Sequence, residues 1–372
     1  MIMKLYKSGE SHGKFMVGIL TDVPYGIPVD ENQINLLLKQ RNAAYGRSAR
    51  QNAENDELFY MSGVTDGVTI GNNVSLIIEN HVRKTEVYSC EGCEQGKNHA
   101  ELTQFRPGHA DMPGAVKYGL KDARVVAEGA SARNTCLDVA AGGIALSFLR
   151  ELGVKITAFV RGVGNEKDDE NYRDINEESV CAPFFTPSSV KREAFKNAVD
   201  KAAFSGDTLG GEVELRVSGV KCGLGGYVAE RRVNGVIARL LSEIQAVKGV
   251  YFGANPFCGL SGTEYADKLE YKDGRFFAAT NNCGGIDGGM TNGGEIVVRV
   301  GVKPLPTVAC GVPSVNSDGE ACVSDRERSD VTAVFALCPI LKCTLALGLA
   351  QTIMQSTGGD SMKVIASRYA EL

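Results

Sequence analysis

The stretch "EIVVRVGVK", residues 295–303, places a β-branched apolar residue at every second position. Ile296, Val298, Val300 and Val302 share one face and Arg299 lies on the other. Successive side chains in a strand point to opposite faces, so this spacing predicts a strand with one covered face. "EVELRV", residues 212–217, repeats the pattern with Val213, Leu215 and Val217. Strands of doubly wound parallel sheets are buried on both faces and read as continuous apolar runs, whereas half-covered sheets are usually antiparallel. With helical segments interleaved, the expectation is an α+β fold in layers.

Three helices can be read around these strands. "DENQINLLLKQR" starts at Asp30 as N-cap with Gln33 three residues on, and Ile34, Leu37 and Leu38 form its apolar stripe. Arg41 follows on that face; it either turns inward or complements the helix dipole from its end. "ARNTCLDVAAGGIALSFLRELG" predicts a helix over 132–152 with Gly153 closing it and Ser131 near its N-cap, a natural anion site. Arg133 in that first turn opposes the dipole unless it is solvated or serves a bound anion, and the second reading is favoured. "RRVNGVIARLLSEIQAV" predicts a packing helix through Val233, Ile237, Leu240, Leu241 and Ile244.

Composition narrows the classes. The chain has 372 residues, 43% of them apolar and 23% charged, close to an ordinary globular protein. Its 44 glycines exceed the usual ~7% and imply many tight turns and close backbone approaches. A net charge of -5 argues against nucleic acid as a partner, because phosphate backbones require clustered positive charge. The segment "ALCPILKCTLALGLA" is interrupted by Pro339 and Lys342 and is expected to be too short for a bilayer span, so no membrane partner is expected. Eleven cysteines, an odd number, and no basic-plus-apolar leader point to reduced thiols and a cytoplasmic location. Two polar segments, 83–102 and 165–179, read as solvated surface loops.

The chemistry-bearing residues are few. Of four histidines, His81 and His99 lie in polar surroundings and read as surface residues. Cys90 and Cys93 form a lone C-x-x-C without a four-ligand set, so no metal is expected. His12 in "SGESHGK" and His109 in "RPGHAD" each lie beside glycine, where the chain bends tightly and exposes an imidazole. Two such histidines with arginines at 41, 47, 50, 106, 133 and 328 fit acid catalysis on a multiply anionic substrate. "SGDTLGG", "GLGG" and "GGIDGGMTNGG" lack the context of a dinucleotide or P-loop motif. The density of the third suggests backbone packed against a flat ligand.

"GESHG", "RNAAYGR", "RPGHAD" followed by "KYG", "ASAR", "GDTLGG", "GGIDGGMTNGGEI", "KPLPT" and "RSD", in that order from residue 9 to residue 330, resemble the successive signatures of the chorismate synthases. The resemblance implies a single catalytic domain over 1–372 with a β-α-β sandwich of antiparallel sheets. It implies a lyase of the shikimate pathway that removes phosphate from 5-enolpyruvylshikimate 3-phosphate by 1,4-anti elimination to give chorismate. It also implies reduced FMN without net redox change, a tie to NADP, an external flavin reductant and a homotetramer. His12 would protonate the leaving phosphate, His109 the reduced flavin, and Asp330 would assist deprotonation. Arg41, Arg47, Arg50, Arg106 and Arg133 would hold substrate anions. Gly129, Ala130, Ser131, Gln245, Ala246, Gly288, Lys303, Pro304, Leu305, Pro306, Thr307 and Arg328 would bind the flavin. The chain departs from the family pattern at Gly129, where arginine is usual, Asn134 (glutamate), Gln245 (asparagine), Ala266 (asparagine) and Ser329 (often histidine). Two other readings fit the same residues: a flavin- or phosphometabolite-binding paralogue without turnover, and a flavin-independent phosphatase.

Overall fold

The computed structural model describes residues 2–48, 56–81, 101–172, 175, 179–254, 259–324 and 329–372. The 83–102 loop up to residue 100, with Cys90, Cys93 and His99, lies outside them, as do Arg50 and Arg328.

Two antiparallel sheets enclose a helical layer. One has four strands in the order Lys4–Ser8, Phe15–Thr21, Val74–Glu79 and Leu58–Met61. The other has five, in the order Val247–Phe252, Ile296–Val302, Gly211–Ser218, Lys155–Val163 and Glu166–Lys167. Burial alternates strictly along Ile296–Val302, and Val213 and Leu215 lie opposite Val300 and Val298 on the covered face. Helix Thr135–Glu151 packs on the four-stranded sheet, helix Val334–Thr357 on the five-stranded one, and the two helices pack on each other. The α+β layers expected from the alternation, and the sandwich of antiparallel sheets that the resemblance implies, are the fold observed. One apolar cluster runs through both sheets and the helices between them.

The second face of the five-stranded sheet is less solvated than the alternation suggests. Glu214 is fully buried there, with Nε of Arg161, Arg216 and Arg299 at 3.2, 2.8 and 3.0 Å. The segment expected as a solvated loop from 165 begins as strand Glu166–Lys167, and the Glu170 carbonyl accepts from Arg161 at 2.7 Å. Asp168 is buried and accepts from the Tyr172 hydroxyl, so this stretch helps cover the arginine cluster.

The helices follow the sequence with instructive differences. Asp30 caps Glu31–Asn42 by accepting from Asn32 and Gln33 N–H, and Arg41 turns inward to 3% exposure, which settles its two readings in favour of the interior. Pro339 does not interrupt its helix: Val334–Thr357 spans 24 residues and is apolar enough to cross a membrane by length. Its near-complete burial between protein layers is what makes it a core helix. The third helix stops at Ser242, and Gln245 and Ala246 form a turn before strand Val247–Phe252. Ala246 takes φ 69° there, and its carbonyl accepts from Lys303 N–H at 2.9 Å. In Thr135–Glu151, Gly142 is required by packing, since a Cβ would lie 2.2 Å from Cys343 Cβ. Glycine costs helix propensity, and here that cost is offset by backbone-distance packing of two helices.

Candidate active site

Loops from distant parts of the chain meet around one cavity of about 560 Å³. "RPGHAD" turns at Gly108, φ 81°, and His109 N–H donates to the Arg106 carbonyl at 3.1 Å before helix Asp111–Tyr118 begins. "KPLPT" continues from strand Ile296–Val302 and is tied to that loop twice. Arg106 Nη1 donates to Thr307 Oγ1 at 3.4 Å, and the Lys303 ammonium donates to the Gly108 carbonyl. "GDTLGG" supports both neighbours: Thr208 Oγ1 donates to the Leu305 carbonyl at 2.7 Å, and Leu209 N–H to the Val331 carbonyl at 2.8 Å. A further contributor, around "ASAR", is a single 3₁₀ turn over Ala132–Asn134, with helix Thr135–Glu151 starting only after it. Ser131 caps that turn by accepting from Arg133 N–H and reaches Ser11 Oγ at 3.2 Å.

The two imidazoles share this cavity with Asp330. His12 Nδ1 lies 2.7 Å from Glu128 Oε1, and the His12 backbone N–H donates to Glu128 Oε2 at 3.0 Å. Its Nε2 is buried and has no partner among the described residues. His109 Nδ1 lies 2.5 Å from Asp111 Oδ1, whose carboxylate also receives Arg106 Nε at 2.7 Å and Nη2 at 2.9 Å. Burial of Asp111 works against its charge, but hydrogen bonds from His109 and Arg106 prevail and hold the carboxyl well below the usual range. Asp330 accepts from Ser48 N–H at 2.7 Å, with Arg47 Nε 3.7 Å away.

The arginines arrive already paired. Arg41 Nη1 and Arg133 Nη2 reach the two oxygens of Asp56 at 3.0 and 2.6 Å, and all three residues are buried. Arg41 Nε adds Thr135 Oγ1 at 3.1 Å. Arg106, expected to clamp a substrate anion, lines the cavity too and has the carboxylate of its own loop in its fork. The physical reason is that a guanidinium at 5% exposure needs a counter-charge in every state of the protein. Seven cations nevertheless line the cavity (Arg41, Arg47, Arg106, Arg124, Arg133, Lys248 and Lys303) against the carboxylates of Glu128, Glu243 and Asp330. In a chain of net charge -5, that local excess marks a site for anions. Burial, then the charge of Lys248, pulls the Lys303 ammonium below its ordinary value.

Most residues singled out in the sequence converge here. Ala130, Ser131, Gln245, Ala246, Lys303, Leu305, Pro306 and Thr307 line the cavity with Arg41, Arg47, Arg106 and Arg133. Gly129 and Pro304 adjoin lining residues in the chain without lining it themselves. Gly288 is a different case. It forms the turn of hairpin Ile286–Asp287/Met290–Thr291, away from the cavity, and the glycines around it pack on protein backbone. The Gly289 carbonyl accepts from Gly226 and Val233 N–H, and a Cβ on Gly253 would lie 2.0 Å from the Asn282 carbonyl oxygen. The close approach read from glycine density is real, but within the described residues its partner is the chain itself. Arg124, Glu128, Asp56 and Lys248 were missed; only Arg124 and Glu128 left a sequence trace, four apart on one short helix ahead of "ASAR". A larger cavity of about 1080 Å³, lined by Leu36, Leu146, Ile156 and Val180, holds none of His12, His109 or Asp330.

A family model described as chorismate synthase matches residues 3–354. The chain belongs to the chorismate synthase family. Chorismate synthase of Aquifex aeolicus (strain VF5) is 35% identical over 387 residues, covering 99% of this chain and 97% of that protein. The chorismate synthase of Geobacter sulfurreducens is likewise 35% identical over 384 residues, with 99% and 98% covered. A crystal structure of a chorismate synthase superposes with TM-score 0.77 at 30% identity, covering 100% of this chain and 97% of that one. As a chorismate synthase family member the chain is an enzyme, a carbon–oxygen lyase of the shikimate pathway. Two of its departures from the family pattern touch each other: Gln245 Nε2 donates to Asn134 Oδ1 at 3.2 Å. A Cβ at Gly129 would meet nothing within 4 Å, so steric need does not explain the glycine there.

Proposed function

We propose that this chain eliminates phosphate from 5-enolpyruvylshikimate 3-phosphate in the anti sense to give chorismate, with reduced FMN in the same cavity and no net redox change. The observation that carries this reading is that His12, His109 and Asp330, 318 positions apart at the extremes (330 - 12), line one cation-rich cavity. The cavity suits a flavin. Its volume falls within the roughly 300–1,000 Å³ of cofactor pockets, and Gln245 Oε1 is a buried acceptor with no partner among the described residues. Ala130, Ser131, Gln245, Ala246, Lys303 and Thr307 would hold the group. When bound, reduced FMN would lend electron density to the breaking C–O bond and take it back.

The chain's own residues divide the remaining tasks. Arg41, Arg47 and Arg133, fixed by Asp56 and the loop backbone, orient the anionic substrate without reorganising during reaction. His12 presents Nε2 to the departing phosphate as proton donor. His109, carried by the RPGHAD loop itself, would be the proton donor to the reduced flavin. Asp330, held by Ser48 N–H, is the carboxylate that accepts a proton. Mixing the protein anaerobically with reduced FMN and substrate should release phosphate, with none released when flavin is omitted. Release without flavin would indicate a phosphatase, and flavin binding without release would indicate a binding protein. The reading further includes a single domain, a homotetramer, a cytoplasmic location and an external reductant for the flavin.

A further inference from the structure

Glu128 is a buried carboxylate that nothing above uses except as a neighbour of His12. It is 3% exposed, and among the described residues its carboxylate oxygens accept only from His12, once from Nδ1 and once from the backbone N–H. The Glu128 carbonyl also accepts from Ser11 N–H at 3.2 Å, so the whole "ESH" turn is strapped to this one residue. A carboxylate can only accept, so it requires a proton on Nδ1 and leaves Nε2 as the nitrogen whose proton can change hands. That Nε2 is buried, unpartnered among the described residues, and borders the cavity.

We infer that Glu128 is the positioning residue of His12: it fixes the Nδ1–H tautomer and directs Nε2 at the departing oxyanion of the substrate. The inference rests on the proposed elimination for its rate consequence, but not for the tautomer. The ring donates as the imidazolium, with a proton on each nitrogen: the proton that leaves Nε2 goes to a phosphate oxygen, and the neutral ring that remains is the Nδ1–H tautomer that Glu128 favours.

Glutamine at this position makes the idea testable by its atom count. Glu128 accepts twice from His12, whereas a glutamine of the same shape has a single acceptor oxygen. The backbone N–H of His12 cannot stop donating, so the amide oxygen turns to it and the NH₂ faces Nδ1. The ring then satisfies that donor by moving its own proton to Nε2. Serine-protease triads lose activity by this kind of tautomer error when their aspartate becomes asparagine.

The experiment uses the full chain with ¹⁵N-labelled histidine, its His12 signal assigned by comparison with His12→Ala, and the Glu128→Gln variant. In the wild type above the titration of the ring, His12 should show a protonated Nδ1 and a bare Nε2; in Glu128→Gln the two should exchange. kcat for phosphate release should fall about 10²-fold in the variant, with KM and flavin affinity within about twofold, as for an interaction made in the transition state. A wild-type ring protonated at Nε2 would overturn the inference without any variant having to fold. So would a Glu128→Gln protein with an unchanged tautomer and unchanged kcat. Should the wild type release no phosphate at all, the proposed reaction fails, while the labelled-histidine measurement still decides the role of Glu128.

Discussion

His12 and His109 are held alike and supported differently. Each anchors Nδ1 on a buried carboxylate and lines the same cavity. Glu128 serves His12 alone among the described residues, so its whole charge acts on one ring and one turn. Asp111 is shared: it receives both Nε and Nη2 of Arg106, the Arg106 backbone N–H at 3.1 Å, and His109. It also opens helix Asp111–Tyr118, where the dipole favours a negative charge. A carboxylate already neutralised by a guanidinium builds the loop; one left to a single imidazole tunes that imidazole. The two dyads should therefore fail in different ways.

The largest effect is expected at the shared carboxylate. Asp111→Ala leaves Arg106 buried without its counter-charge, which costs about 3–5 kcal/mol when one partner of a buried pair is removed. Urea denaturation should show that loss as a lower midpoint together with lost activity. If the midpoint is unchanged, the loop does not depend on the pair. Next come the imidazoles. His12→Ala and His109→Ala should each lower kcat by about 10²-fold or more, yet their stabilities should diverge. His12→Ala strands Glu128 with a single donor and should cost about 1–3 kcal/mol, while His109→Ala leaves Asp111 its arginine and should cost less. Equal losses in thermal or urea melts would erase the proposed contrast.

Acid sharpens the same comparison. The folded-state pKa of Asp111 is depressed below its unfolded value of about 3.9. Its contribution to stability is thus complete above roughly pH 4–5 and is lost as pH falls toward the folded value. The stability gap between wild type and Asp111→Asn should be widest near neutrality and narrow below about pH 4, read from urea midpoints between pH 7 and 3. A gap independent of pH would mean that the charge is not what the loop uses. The smallest effect is expected in the scaffold outside both dyads. Thr208→Val removes one hydrogen bond to the Leu305 carbonyl and should cost about 1 kcal/mol, with flavin affinity weakened and both histidine environments unaltered by NMR.

How far the sequence reaches is visible in these same elements. The alternation in "EIVVRVGVK" led to the covered sheet face because strand periodicity is local. Asp30 was readable as a cap for the same reason. The motifs around His12, His109, Asp330 and most of the positions proposed for the flavin assembled at one cavity, because loops at strand and helix ends carry their chemistry within a few residues. What stayed hidden was long-range pairing. Glu128 lies 116 residues from His12, and Asp56 lies 77 from Arg133, and no spacing rule links such residues before the chain is folded. The inward turn of Arg41 was undecidable from helix position because its partner, Asp56, is outside the helix. Pro339 misled for another reason. It is the sixth residue of Val334–Thr357, past the first turn, so it removes one i to i−4 bond, and packing on both sides outweighs that loss. Gly288 shows the reverse error: glycine density signals close approach, but not what approaches.

The most direct test of the central claim is a crystal structure of the protein with FMN and 5-enolpyruvylshikimate 3-phosphate bound. It should place a phosphate oxygen within hydrogen-bond reach of His12 Nε2, about 2.6–3.2 Å, with the flavin in the same cavity between His109 and Asp330. A phosphate bound out of reach of His12, or a flavin seated in the larger cavity beside Leu36 and Ile156, would contradict it.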